Sequence, residues 1–86
     1  MPTVNIAFEQ LSSELRIGIA KELTDPAVLD QISYDSNEDV RRAVAFNRFT
    51  SDETLTRLRK SDPAGLVRDI ATNTLWDKSV AKAAQH

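Results

Sequence analysis

The 86-residue chain contains no cysteine, and its one histidine is the final residue, His86. A Ser-His-Asp or Cys-His nucleophile needs an internal base. Thiolate zinc and iron–sulfur centres need ligands that this composition lacks. Chemistry is left to carboxylates and guanidinium groups. The carboxylates fall where helix starts favour them: Asp25, Asp62 and Asp77 at candidate N-caps, and Asp52 and Glu53 in a first turn. There the helix dipole and the free amides favour negative charge, so capping is the simpler reading than paired acid–base catalysis. Gly18 and Gly65 stand singly inside helical patterns and form no phosphate-cradling loop. No enzymatic activity, cofactor or metal is expected.

The arginines carry a sharper signal. Arg16, Arg42 and Arg68 recur at intervals of 26 residues, and Arg41, Arg48, Arg57, Arg59 and Lys60 thicken the positive charge around them. Stacked helices lie ~8–10 Å apart, so such a column would form a row whose guanidinium forks suit phosphates or an acidic peptide. The competing reading is structural. Glu38 precedes Arg42 by four residues, the favoured order for a helical ion pair, and Asp35, Asp39 and Asp62 are placed to hold Arg41 and Arg68 between units. Trp76 has two readings as well, as cover for the end of the core or as a contact anchor, since tryptophan and arginine dominate interface energetics. The candidate partner-binding set is therefore Arg16, Arg41, Arg42, Arg68 and Trp76.

These residues must be positioned by helices. A shift of 26 aligns Leu29 with Leu55, Ile32 with Leu58, Val44 with Ile70, Ala45 with Ala71 and Asn47 with Asn73. Apolar columns stay apolar and polar ones polar. Asp25 and Pro26 predict one helix start and Ser36 and Asn37 another. Thr50 and Glu53 predict a capping box, and Asp62 and Pro63 a further start. Val40, Ala43, Val44 and Phe46 form one apolar stripe, and Leu66, Val67, Ile70 and Ala71 the next. Asn47 and Asn73 are placed to end their helices. Val4, Phe8, Leu11, Leu15, Ile19 and Leu23 predict a single amphipathic helix over residues 5–22. Asp77 starts a thin alanine-rich last helix. Tyr34 closes a first helix and covers the core. No segment alternates with period two, so the fold is all-α.

Residues 35–47 (DSNEDVRRAVAFN) carry an aspartate followed by Val-Arg-x-x-Val-Ala-x-Asn. That pattern resembles the signature of the leucine-rich repeat variant family, similar in appearance to HEAT and armadillo repeats. The resemblance covers about residues 23–75. It implies a right-handed solenoid of alternating α-helices and short helices, and the period is shorter than the ~40–47 residues of HEAT units. In the second unit Ile70 and Ala71 arrive one residue early, so the counterpart of Val40-Arg41 is either Leu66-Val67 or Val67-Arg68. The organisation expected is an N-terminal capping helix (1–23), two units (24–49 and 50–75) and a C-terminal half unit (76–86).

Solenoids of this kind are mostly surfaces for partners, so a non-enzymatic protein-interaction module is the leading expectation. Nucleic-acid binding is the alternative, set against a sequence pI of about 5.3 where such domains typically exceed ~9. The net charge of −2 divides into −6 over residues 1–40 and +4 over residues 41–86. A stack of two units is short for a repeat array, which points to self-association, or docking of a partner, through the C-terminal end near Trp76 and Val80. No apolar run is long enough to span a membrane and no signal pattern opens the chain, so a cytoplasmic location is the expectation.

Overall fold

Local hydrogen-bonding chemistry sets where each helix begins. In the computed structural model, which describes residues 7–84, a 3₁₀ turn (Phe8–Gln10) is followed by α1 (Ser13–Glu22), α2 (Pro26–Ile32), α3 (Glu38–Phe46), α4 (Asp52–Ser61) and α5 (Gly65–Ala83). The described residues are helical or irregular, with no strand. Asp25 caps α2 by accepting from the Ala27 amide at 2.9 Å, with Pro26 in the first turn. Asn37 caps α3 by accepting from Asp39 and Val40.

Several expectations about helix ends are corrected. The single helix over residues 5–22 is broken, because Leu11 is extended and Ser12 caps α1 through the Leu15 amide at 3.2 Å. Val4 lies outside the described residues. Thr50 does not cap α4. It is buried and donates its hydroxyl to the Val44 carbonyl at 2.7 Å, while Ser51 takes the cap and accepts from Thr54. Asp62 turns inward and accepts from the Ala64 amide, so α5 starts only at Gly65. Asn73 ends nothing, since α5 runs unbroken past residue 75 and carries Asp77 within it rather than at a cap. Asn47 does end α3, but in extended rather than left-handed backbone, accepting from the Phe49 amide at 2.8 Å.

Helix α3 packs between α1 and α5, with α2 against α3 and α4 against α5. The shortest dimension is 18 Å, the thickness of two helix layers at ~8–10 Å each. The core joins Leu29, Ile32, Leu55 and Leu58 from α2 and α4 to Ala20, Val40, Ala43, Val44, Ala45, Val67 and Ala71 from α1, α3 and α5. Both aligned pairs of α2 and α4, Leu29 with Leu55 and Ile32 with Leu58, are buried as the spacing predicts. Phe46 and Leu66 leave their expected stripes and are exposed. At ~100° per residue, Phe46 stands about 200° from Val44 and so faces away from the core. Ala81 and Ala84, aligned with the same columns, are exposed on the free end of α5.

Candidate functional site

Arg16, Arg41 and Arg68 are each the fourth residue of their helix. From that position each guanidinium reaches back to carbonyls just before its own helix. Arg16 donates to Leu11 O at 2.8 Å, Arg41 to Asp35 O and Ser36 O at 3.0 Å, and Arg68 to Asp62 O at 2.6 Å. The first two also reach forward to the next helix of the row. Arg16 Nε lies 3.1 Å from Asp35 Oδ2, and Arg41 Nε donates to Asp62 Oδ2 at 2.9 Å. The aspartates are held in turn by backbone amides two residues on, from Asn37 to Asp35 at 2.8 Å and from Ala64 to Asp62 at 2.9 Å. The Arg41–Asp62 pair is the tighter and drier, with side chains 13% and 2% exposed.

A second contact recurs beside it. The Asn47 amide donates to the Ala20 carbonyl at 2.9 Å, and the Thr74 hydroxyl to the Ala45 carbonyl at 2.7 Å. Ala20 and Ala45 each lie four residues after a ladder arginine and are fully buried. The small side chain lets the neighbouring helix approach closely, and the donor satisfies a carbonyl left free near a helix end. Corresponding positions are therefore 25 residues apart between α1 and α3 and 27 apart between α3 and α5. Val67-Arg68, not Leu66-Val67, matches Val40-Arg41. The row runs through Arg16, Arg41 and Arg68, and Arg42 does not belong to it.

Arg42 instead faces outward and pairs with Asp39 rather than Glu38. It stands on the rim of an open groove of about 1020 Å³ over α1, α3 and the start of α5, lined by Ile17, Leu23, Phe46, Phe49 and Ile70, with Lys21 and Arg48 and the acids Glu22 and Asp39 also at its edge. Phe46 is 77% exposed there. The Arg48 guanidinium sits 5.4 Å from the centre of the Phe49 ring, a cation–π contact that leaves the charge facing solvent. Sequence reasoning assigned Phe46 to the core and so missed this groove. Its position half a turn from Val44 is the signal that finds it.

Trp76 covers little of the core, being 69% exposed on α5, and is not among the residues lining the groove. Tyr34 is likewise exposed, and Arg57 stacks over its ring at 3.9 Å while bonding Ser33. Of the five predicted site residues, Arg16 and Arg41 lie between helices in ion pairs, Arg42 borders the groove, and Arg68 and Trp76 share α5. They do not form one surface.

No family model, curated protein or solved structure matches the chain. Among the described residues no group of acidic or histidine side chains is arranged to hold a metal ion, and no helix is long and apolar enough to cross a membrane. Among the described residues one titratable group is clearly shifted. The hydrogen bond from Lys78 Nζ to Asp52 Oδ1 at 2.7 Å, against a smaller opposing effect of burial, holds the Asp52 carboxyl below its ordinary range. The same ammonium donates to the Thr50 carbonyl at 2.8 Å. It ties the second half of α5 to the start of α4.

Proposed function

We propose that the chain is a non-enzymatic protein-interaction module of the helical-repeat type, whose contact surface is the Phe46–Phe49 groove. Repeat character is supported by the recurring ladder: arginine at the fourth helical position, aspartate before the next helix, and alanine four residues after the arginine. The observation that carries the interaction reading is the exposed aromatic pair. A solvated phenylalanine costs burial energy of about 1.5–3 kcal/mol, and two of them flank a concave apolar strip whose rim carries Lys21, Arg42 and Arg48 together with Glu22 and Asp39. Aromatic and arginine residues around an apolar depression are the composition of an interface centre. A partner segment with apolar side chains suits it.

Nucleic-acid binding has less support, because Arg16 and Arg42, two of the three arginines of the anticipated phosphate row, already pair with Asp35 and Asp39, and Arg41 beside them pairs with Asp62. The test is site-specific photocrosslinking. A benzophenone analogue of phenylalanine placed at position 46 should yield a discrete protein adduct in cells, while the same group at the exposed Lys60 should not. A nucleic-acid adduct, or equal labelling from both positions, would overturn the proposal.

A further inference from the structure

The ladder stops one rung short. Arg16 meets Asp35 and Arg41 meets Asp62, but Arg68 meets no carboxylate among the described residues. Its guanidinium bonds only the Asp62 carbonyl and folds back over Gly65. Thr72, four residues on, stands where Ala20 and Ala45 are buried and is itself exposed. Trp76 lies one further turn along the same edge of α5. Arginine, small residue and exposed tryptophan thus line the side of α5 that corresponds to the sides of α1 and α3 already covered by their neighbours.

We infer that this edge of α5 docks a partner protein through an aspartate-led helix, whose carboxylate occupies the third rung on Arg68. The filled rungs specify the chemistry: a carboxylate about 3 Å from Nε, carried just before a helix that presents small residues to Thr72 and reaches Trp76. A second copy of the chain fits poorly in either orientation. Head to tail, its leading edge places Gln10 where Asp35 and Asp62 stand, and Glu22 where Asn47 and Thr74 donate. With two α5 helices antiparallel about a two-fold axis, each Arg68 meets the flank carrying Thr72 and Ser79, and the nearby carboxylates Asp69 and Asp77 lie off that flank. The carboxylate has to come from elsewhere. Arg68, Thr72 and Trp76 are not among the residues lining the groove, whose one α5 residue is Ile70.

The chain's own α3 supplies a probe. A synthetic peptide of residues 34–49, with Arg42→Lys closed to Glu38 as a lactam to hold the helix, carries the Asp35 that fills the first rung and contains no tryptophan. Titrated into the intact protein, it should shift Trp76 fluorescence to the blue and saturate. Arg68→Gln in the protein, or Asp35→Asn in the peptide, should each weaken binding by roughly tenfold or more, while Phe46→Ser in the protein leaves it unchanged. Amide chemical-shift changes should centre on Gly65–Trp76. No binding at millimolar peptide, equal binding by Arg68→Gln, or shifts confined to the groove would overturn the inference. So would a dimer in sedimentation that Arg68→Gln disperses, since it would make the occupant a second copy.

Discussion

Arg41 and Arg42 are neighbours in sequence and opposite in consequence, which makes them the sharpest test of the ladder. In Arg41→Met the aliphatic stem is kept and the guanidinium lost. Asp62, whose side chain is 2% exposed, then keeps only the Ala64 amide as a partner. Removing one member of a buried ion pair costs ~3–5 kcal/mol, because the other charge is left desolvated. Arg42→Met breaks a pair whose members are 37% and 51% exposed, worth ~0–1 kcal/mol. With a urea slope near ~1 kcal/mol/M for a small domain, the unfolding midpoint should fall by ~3–5 M for Arg41→Met and by less than about 1 M for Arg42→Met. Far-UV circular dichroism is the probe, since Trp76 is too exposed to report on folding. Asp62→Asn added to Arg41→Met removes the stranded charge and should recover ~1–3 kcal/mol as a coupling energy. Equal losses from the two arginines, or a larger one from Arg42, would refute the 25-and-27 register and restore a column through Arg42.

The other predictions concern the same contacts. Ala45→Leu should destabilise by ~1–3 kcal/mol through overpacking against α5, whereas Thr72→Leu at the matching open position should change stability by under ~0.5 kcal/mol; paired denaturation curves decide it. Asn47→Ala removes donors to the Ala20 and Leu23 carbonyls and the acceptor of the Phe49 amide, and should cost ~2–3 kcal/mol in the same assay. For Lys78→Met the pH dependence has a definite sign. Because Asp52 is depressed in the folded state, its contribution is present above the ordinary carboxylate range and is lost as pH falls through the folded value. With Asp52 half-exposed the effect is small, within ~1 kcal/mol. The stability gap between wild type and variant should therefore be widest near neutrality and narrow in acid, and a gap that widens in acid would contradict the assignment.

Much of the helical framework was legible because it rests on local chemistry. Asp25 with Pro26 and Asn37 each start a helix where the residue types say they should, and Leu29, Ile32, Leu55 and Leu58 are buried at the predicted spacing. What was not legible is register. A shift of 26 is the mean of 25 and 27, so it aligned the layer of α2 and α4 correctly while misplacing α3 by one residue against both neighbours. That single residue exchanged Arg41 for Arg42 and put Asn73 in the place that Thr74 occupies. Thr50 and Asp62 looked like caps because their types permit it. Tertiary partners, the Val44 carbonyl and the Arg41 guanidinium, claimed them instead. The groove was hidden for a related reason, since Phe46 is apolar and near the stripe but stands on the far side of the helix.

The same one-residue exchange explains how α5 differs from α3 in length. At the end of α3, Asn47 turns its side chain both ways, donating to the carbonyls of Ala20 and Leu23 and accepting from the Phe49 amide. Those bonds stabilise the extended backbone that stops the helix. Thr74, its counterpart, has one hydroxyl and uses it on Ala45. It has no second donor to clasp the neighbouring helix twice, and no carbonyl oxygen with which to hold a following amide in an Asx turn. With neither glycine nor proline after it, α5 continues, and Lys78 and Lys82 on the continued turns reach Asp52 at the start of α4. Substituting asparagine for threonine at position 74 therefore supplies the missing acceptor, but the stop also requires the residues beyond it to give up helix. Ala81, Lys82 and Ala83 are strong helix formers, so continuation remains favoured and Thr74→Asn alone should leave the helical content unchanged by circular dichroism.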